Sequence, residues 1–178
     1  MFEDLRRRVG LAYARFHFRK RSDAPMRFSD AVTRARRALV LFPDRALDAG
    51  TAEMLLRYLT RRFANGSTTV VIREDLRNNL PMTTAARVVT YSAEDLTAWF
   101  TPRSALIRRL KSSTFDAAFD LNTEFSLPNA FLCKESGAGL RVSFTKTNAD
   151  EFFNLQIRTG SAAPGPSYQS LMRCLDML

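Results

Sequence analysis

The stretch ALVLFPDRALDAGTAEMLLRYL, residues 38–59, decides the fold class of this chain. Its apolar run at residues 38–41 predicts a buried strand, and the periodic run at residues 52–59 predicts a helix. In nucleotide-binding folds, the loop between two such elements holds a phosphate, and glycines let the backbone approach it. Here the loop is FPDRALD, residues 42–48, and the first glycine, Gly50, comes after it. The sequence therefore predicts a strand, loop and helix without a phosphate cradle.

The rest of the chain continues the alternation of strands and helices. Apolar runs predict further strands at residues 68–73, 87–91, 115–121, 140–144 and 152–158. Helical patterns lie between most of these runs, and a last one covers residues 168–178. This order predicts an α/β fold with a doubly wound, mostly parallel, Rossmann-like sheet and a basic N-terminal helix. The expected organisation is an arm and connector at residues 1–37, the α/β domain at residues 38–160, and a linker with a C-terminal helix at residues 161–178.

Positive charge is concentrated at the N-terminus. Residues 1–37 contain 11 Lys or Arg against four Asp or Glu, a net charge of +7, whereas residues 38–178 contain 16 against 14, a net charge of +2. The chain is therefore a nearly neutral domain that carries a basic arm. An anionic partner is expected to contact the arm rather than the fold.

Within the arm, apolar residues spaced three and four apart predict an amphipathic helix. This stripe consists of Phe2, Leu5, Val9, Tyr13 and Phe16. The basic residues lie largely off it and are the candidates for binding an anionic surface: Arg6, Arg7, Arg8, Arg15, Arg19, Lys20 and Arg21. Three interpretations stay open. The stripe packs on the domain, or the helix lies on an anionic membrane, or the arm binds RNA or another nucleic acid.

Several kinds of chemistry are excluded by residue type. His17 is the only histidine and lies in the arm, so the chain cannot form a Ser-His-Asp triad in the domain. Cys133 and Cys174 are isolated and lack the spacing of a zinc site. There is no phosphate-binding loop of the Walker or dinucleotide type, so neither a cofactor nor a metal is expected. A charged N-terminus and the absence of a long apolar run predict a cytoplasmic protein.

Polar residues follow two of the predicted strands, where ligands of doubly wound sheets bind. The candidate crevice residues are Asp44, Arg45, Asp48, Asn122, Thr123 and Glu124. A carboxylate there could act as a general base on a hydroxyl group, with Arg45 as a contact for an anion. The alternative is structural: Asp48 caps the following helix, and Asp44 and Arg45 are ordinary turn residues.

Two stretches resemble a known family. VLFPDRALD, residues 40–48, is similar to the opening strand and loop of heptosyltransferase-type glycosyltransferases, which form glycosyltransferase family nine. FDAAFDLNTEFSLPNAFLCKESGAGLRVSF, residues 115–144, is similar to their second conserved stretch, and the resemblance spans roughly residues 38–145. These enzymes are two-domain GT-B proteins that extend the lipopolysaccharide core on the cytoplasmic face of the inner membrane. The resemblance implies a single GT-B half, the acceptor-type domain.

The resemblance also implies roles for individual residues. Asp48 occupies the position of the family's acceptor-activating Asp, and Asp120 matches the Asp of an Asp-Leu-Gln motif in which Asn122 replaces the Gln. Phe42 stands where the family has a Lys, and Leu47 stands where it has the Gly before the Asp. Only a linker and one helix follow residue 160, so we expect the donor-binding domain to be missing.

Three functions are compatible with these observations. The first is a stand-alone acceptor-type domain that binds a glycan or a partner at the cytoplasmic membrane surface and transfers nothing alone. The second is a glycosyltransferase completed by a separate donor-domain protein. The third is a basic module that binds RNA, ribosomes or membranes and uses the fold as a scaffold, because fold alone does not determine function.

Overall fold

A computed structural model of the chain describes residues 2–64, 67–80, 86–159 and 164–178. Its helices are α1 (Phe2–Phe18), α2 (Phe28–Arg34), α3 (Ala49–Arg62), α4 (Ser104–Lys111), α5 (Leu127–Glu135) and α6 (Pro164–Met177). Its strands are β1 (Arg37–Leu41), β2 (Ser67–Arg73), β3 (Arg87–Tyr91), β4 (Ala117–Asp120), β5 (Leu140–Phe144) and β6 (Leu155–Ile157). Short 3₁₀ turns at Glu74–Asn79 and Ala93–Asp95 follow β2 and β3.

In the described residues, the six strands form one parallel sheet in the order β3-β2-β1-β4-β5-β6. Strand β1 is central, and its Val40 is paired in register with Val70 of β2 and Phe119 of β4. The chain winds outward from β1 to β3, returns to the centre at β4, and winds outward again to β6. This is the doubly wound, Rossmann-like order, which confirms the predicted fold class. The sheet is parallel at every one of these pairings.

Alternate side chains of the strands enter two separate cores. Val40 of β1 belongs to a core covered by α2, α3 and α6, whereas Leu39 and Leu41 belong to a core covered by α1, α4 and α5. All three side chains are fully buried, and burial of each contributes about 1.5–3 kcal/mol. Strands buried on both faces explain why the sequence shows continuous apolar runs instead of alternation.

Helix α1 packs on the domain through a face that its sequence does not suggest. Gly10, Ala14 and Phe18 are its buried residues, and the Phe18 ring lies 4.8 Å from the ring of Phe131 on α5. The predicted stripe faces largely away, with its five side chains 38–81% exposed, although the Tyr13 ring stacks on the Phe131 ring at 6.4 Å. The interpretation in which that stripe packs on the domain is therefore wrong. The inner face of α1 lies so close to the domain that only small residues, Gly10 and Ala14, fit at the centre of this contact.

Two boundaries differ from the predictions. Residues 28–34, which belong to the predicted arm and connector at residues 1–37, form α2 and bury Val32. Helix α6 begins at Pro164 instead of residue 168, because proline is well suited to the first turn of a helix. Most of the predicted linker, residues 160–163, lies outside the described residues.

Candidate functional site

A cavity of about 580 Å³ lies at the carboxyl ends of β1, β2 and β3. This is the edge of a doubly wound sheet at which ligands bind. Its lining comes from the loops after these three strands, from the start of α5 and from α1: Arg7, Asp44, Arg73, Glu74, Asp75, Tyr91, Ser92, Ala93, Leu96, Phe100 and Pro128. We call it the crevice. It combines carboxylate, guanidinium and hydroxyl groups with the ring of Phe100.

Asp44 is the carboxylate at the inner end of the crevice. The hydroxyl group of Tyr91 donates a hydrogen bond to Asp44 Oδ1 at 3.0 Å. Burial raises the pKa of Asp44 above its ordinary value, while hydrogen bonds from Ser126 and Tyr91 act in the opposite direction. Burial and the nearby Asp44 also raise the pKa of Tyr91, so its hydroxyl stays a donor at neutral pH. A hydrogen-bonded carboxylate is thus held at the inner end of the cavity.

The loop after β4 fixes the position of Asp44. Asn122 Oδ1 accepts a hydrogen bond from the Asp44 backbone N–H at 2.8 Å, and Asn122 Nδ2 donates to Asp120 Oδ1 at 2.8 Å. Lys146 Nζ lies 2.7 Å from Asp120 Oδ2, and also 2.7 Å from the Asn122 carbonyl oxygen. Both side chains of this ion pair are buried, at 4% and 0% exposure. Asp120 and Lys146 therefore have a structural role at the switch point between β1 and β4.

The other predicted crevice residues lie further out. Arg45 and Glu124 form an ion pair at 2.9 Å, but their side chains are 79% and 70% exposed. Thr123 is half-buried. In sequence it lies between Asn122, which contacts Asp44, and Glu124, which pairs with Arg45. The sequence thus predicted correctly that the loops after β1 and β4 meet.

Asp48 is placed differently from Asp44. Its Oδ1 accepts the backbone N–H of Thr51 at 2.9 Å, which makes Asp48 the N-cap of α3. Hydrogen bonds from Thr51 lower its pKa, and the side chain is exposed. This is the capping role that the sequence offers as the structural alternative. The assignment of Asp48 as a base stays a prediction.

The basic residues of the arm divide into two groups. Four of the seven form a hydrogen bond or an ion pair through their side chains: Arg6 donates to the Ala98 carbonyl, Arg7 pairs with Glu3, Arg15 pairs with Glu151, and Arg21 pairs with Glu135. Arg8, Arg19 and Lys20 form no ion pair with any described residue, and the Arg19 guanidinium lies 3.6 Å from the centre of the Phe16 ring. Those three are the cations that the structure leaves available.

Sequence reasoning missed several crevice residues. Arg73 and Tyr91 are the last residues of β2 and β3, so the rule that selected Asp44 and Asn122 could also have selected them. Arg7 and Phe100 come from distant parts of the chain. The guanidinium carbon of Arg7 lies 4.8 Å from the Phe100 ring centre, and Phe100 adopts φ 61°, a conformation unusual for a residue with a side chain. No sequence signal indicates that contact.

Neither a metal centre nor a membrane span occurs in the part of the chain that the structure describes. No group of three or more His, Cys, Asp or Glu side chains there is arranged to hold a metal ion. Among the same residues, no helix combines the length and the apolar character needed to cross a bilayer.

Two solved structures share this fold. A family 9 glycosyltransferase from Veillonella parvula superimposes with a TM-score of 0.56 at 14% identity, over 76% of this chain and 40% of that one. The E. coli heptosyltransferase WaaC, solved with ADP, gives a TM-score of 0.55 at 14% identity, over 79% of this chain and 46% of that one. No protein-family model and no curated protein matches the sequence.

The chain thus spans less than half the length of either glycosyltransferase. At 14% identity the likeness concerns the fold, and it confirms at that level the resemblance predicted from residues 38–145. The described residues form a Rossmann-like domain similar to one half of a GT-B glycosyltransferase of family nine.

Proposed function

We propose that this domain is the acceptor-type half of a glycosyltransferase-like protein and that its crevice binds a sugar. The observation that carries the proposal is the contact between Asp44 and Tyr91 at the inner end of the crevice. It places a fixed carboxylate at the edge of the sheet where such folds bind ligands.

The chemistry of the crevice suits a polyhydroxylated ligand. The Asp44 carboxylate accepts hydrogen bonds from hydroxyl groups, and the Ser92 hydroxyl both donates and accepts them. Arg73, whose Nη2 lies 2.6 Å from Asp75 Oδ2, adds donors that can reach sugar oxygens or an anionic substituent. Phe100 offers an apolar surface for the carbon-bound face of a sugar ring. A few polar groups around an apolar surface are typical of small-molecule sites.

Transfer of a sugar would also require a donor-binding half. We propose that the described domain alone binds an acceptor and does not transfer, and that the donor half belongs either to the same polypeptide or to a separate chain. The likeness covers less than half of each of the two glycosyltransferases, which supports that division of labour.

The test is a binding titration that separates the two carboxylates. The ¹⁵N-labelled protein is titrated with the deacylated inner-core oligosaccharide of lipopolysaccharide, and amide shifts are followed. We expect shifts at Asp44, Arg73 and Tyr91, and at least tenfold weaker binding by Asp44→Asn. Asp48→Asn is the matched comparison, because Asn caps helices as well as Asp and keeps α3 intact.

The outcomes divide clearly. Loss of binding in Asp44→Asn alone supports binding of the sugar in the crevice. Loss of binding in Asp48→Asn alone assigns the acceptor to the Asp48 side of the loop and contradicts the proposed site. Asp30→Asn, an exposed aspartate on α2, controls for a general effect of charge. Shifts spread over the basic arm, or no shifts at all, would show that the crevice does not bind this class of glycan.

A further inference from the structure

Helix α1 has two apolar faces, and only one is covered. Its inner face, Gly10, Ala14 and Phe18, is buried against the domain. A helix of about 3.6 residues per turn places the residues of the predicted stripe on another side. We call them the outer stripe, and their exposed fractions are 81% for Phe2, 58% for Leu5, 38% for Val9, 50% for Tyr13 and 62% for Phe16.

The outer stripe is a concentrated feature of the surface. Of the seven large apolar side chains that are exposed among the described residues, five belong to it. The other two, Trp99 and Met177, lie elsewhere in the chain. Scattered exposed apolar residues are normal, but a contiguous row of them marks an interaction surface.

The helix cannot roll to bury this stripe, because polar contacts hold its inner face. Arg15 pairs with Glu151 at 2.6 Å. His17 and Arg21 both contact Glu135 on α5, at 3.1 and 2.9 Å. Glu135 is itself only 7% exposed. The contacts of Arg15 and His17 act on the second half of α1, that of Arg21 acts just after its end, and the Gly10 contact fixes its middle.

Most of the charges beside the outer stripe are positive, and the acidic Asp4 lines a surface cavity with Phe2, Leu5 and Arg8. Arg8 lies beside it on the helix surface, and Arg19 and Lys20 follow the end of the helix, where the Arg19 guanidinium lies over the Phe16 ring. None of the three pairs with an acidic group in the described parts of the chain. The acidic Glu3, by contrast, is paired with Arg7, which lines the crevice. An apolar row with unpaired cations beside it is complementary to a surface whose outer layer is anionic and whose layer beneath is apolar.

We propose that the outer stripe binds the surface of an anionic lipid bilayer. The five apolar side chains would enter the boundary between headgroups and acyl chains, while Arg8, Arg19 and Lys20 contact lipid phosphates. Helix α1 would lie in the plane of the membrane, with its inner face still packed on the domain. This interaction is independent of the ligand in the crevice.

Vesicle flotation tests the proposal with the full chain. Vesicles of phosphatidylcholine with one-third phosphatidylglycerol are compared with vesicles of phosphatidylcholine alone. We expect flotation with the anionic vesicles and at least tenfold weaker binding by Leu5→Gln/Phe16→Gln, whose positions are exposed and should not affect folding. Met177→Gln, which removes an exposed apolar side chain from α6, is the matched control and should bind normally.

A second pair of variants tests the charges. Arg8→Gln/Lys20→Gln should weaken binding to anionic vesicles several-fold, whereas Arg61→Gln/Arg108→Gln, which removes two exposed arginines from other helices, should not. The absence of flotation, or equal flotation of the stripe variant and Met177→Gln, would overturn the proposal. So would a stripe-dependent dimer in sedimentation experiments without lipid binding, or tight binding of RNA without lipid binding.

Discussion

A β-carbon placed on Gly10 would lie 1.9 Å from the carbonyl oxygen of Trp99 and 2.9 Å from the Leu127 side chain. The backbone of α1 therefore touches the backbone of the loop between β3 and α4. A glycine normally weakens a helix by up to about 1 kcal/mol relative to alanine. Here that cost is offset, because glycine lets α1 approach the domain closely enough to bury Ala14 and Phe18.

The first prediction concerns this contact. Gly10→Ala should lower the free energy of unfolding by about 1–3 kcal/mol, since the clash with a backbone atom exceeds the gain in helix propensity. Gly165→Ala is the control, because a β-carbon on Gly165 has no atom within 4 Å. Urea unfolding of the two variants measures the difference. A Gly10→Ala protein as stable as Gly165→Ala would show that α1 is not docked in this way.

The fold was predictable because its strands carry one unambiguous pattern. The runs that became β1 and β2 are short and rich in apolar and β-branched residues, which suits strands buried on both faces. The docking of α1 was not predictable in the same way. Hydrophobicity gives most weight to large side chains such as Phe2 and Phe16, whereas the close contact selected Gly10 and Ala14 for their small size.

The candidate site was predictable only in part. The rule that ligands bind at the carboxyl edge of the sheet selected Asp44 and Asn122, which the structure brings together. It could not rank Asp44 above Asp48, because the two lie four residues apart in one loop. Their different environments depend on the direction of each side chain, and on Tyr91, which comes from another strand.

The second prediction concerns the pH dependence of stability at Asp44. Burial raises the pKa of Asp44 in the folded protein, so the ionised carboxylate lowers stability at neutral pH. This penalty decreases as the pH falls through the folded-state pKa and is absent below the ordinary value of 3.8. Asp44→Asn should therefore be at least as stable as the unaltered protein at pH 7. The difference should shrink toward pH 4.

Urea unfolding at several pH values measures this difference, and Asp30→Asn corrects for the general loss of a negative charge. A variant that is much less stable at pH 7 would mean that the charged form of Asp44 makes a favourable contact. If Asp44→Asn keeps its stability but loses sugar binding, the cost of the buried carboxylate would be explained by its function.

The third prediction concerns Glu135, which joins α1 to α4 and α5. Burial opposes its ionisation, but hydrogen bonds from Lys111, His17 and Arg21 outweigh this effect and lower its pKa. Lys111 Nζ lies 2.5 Å from Glu135 Oε1. Glu135→Gln should cost about 1–3 kcal/mol at pH 7, a value kept modest because its three hydrogen-bond partners are partly exposed.

The sign of the pH effect follows from the lowered pKa. The stabilisation by Glu135 is present above its ordinary pKa of 4.5 and is lost as the pH falls through the lower, folded-state value. The gap between Glu135→Gln and the unaltered protein should thus close as the pH falls into the acid range. Glu151→Gln, which breaks the exposed pair with Arg15, should cost less than about 1 kcal/mol. Equal effects of the two variants would contradict the special role of Glu135.

The last prediction concerns the buried ion pair between Lys146 and Asp120. Lys146→Met should lower the free energy of unfolding by about 3–5 kcal/mol, because it leaves a buried carboxylate without its cation. Asn122 would lose a neighbour that fixes its carbonyl, so Asp44 should also become less well positioned and sugar binding should weaken. Lys146→Met/Asp120→Asn removes both charges and should regain much of the lost stability, since a neutral pair needs no compensation. Urea unfolding of the single and double variants gives the coupling energy directly. Additive losses would mean that the two charges do not stabilise each other, and unchanged sugar binding by Lys146→Met would mean that Asp44 is positioned without Lys146.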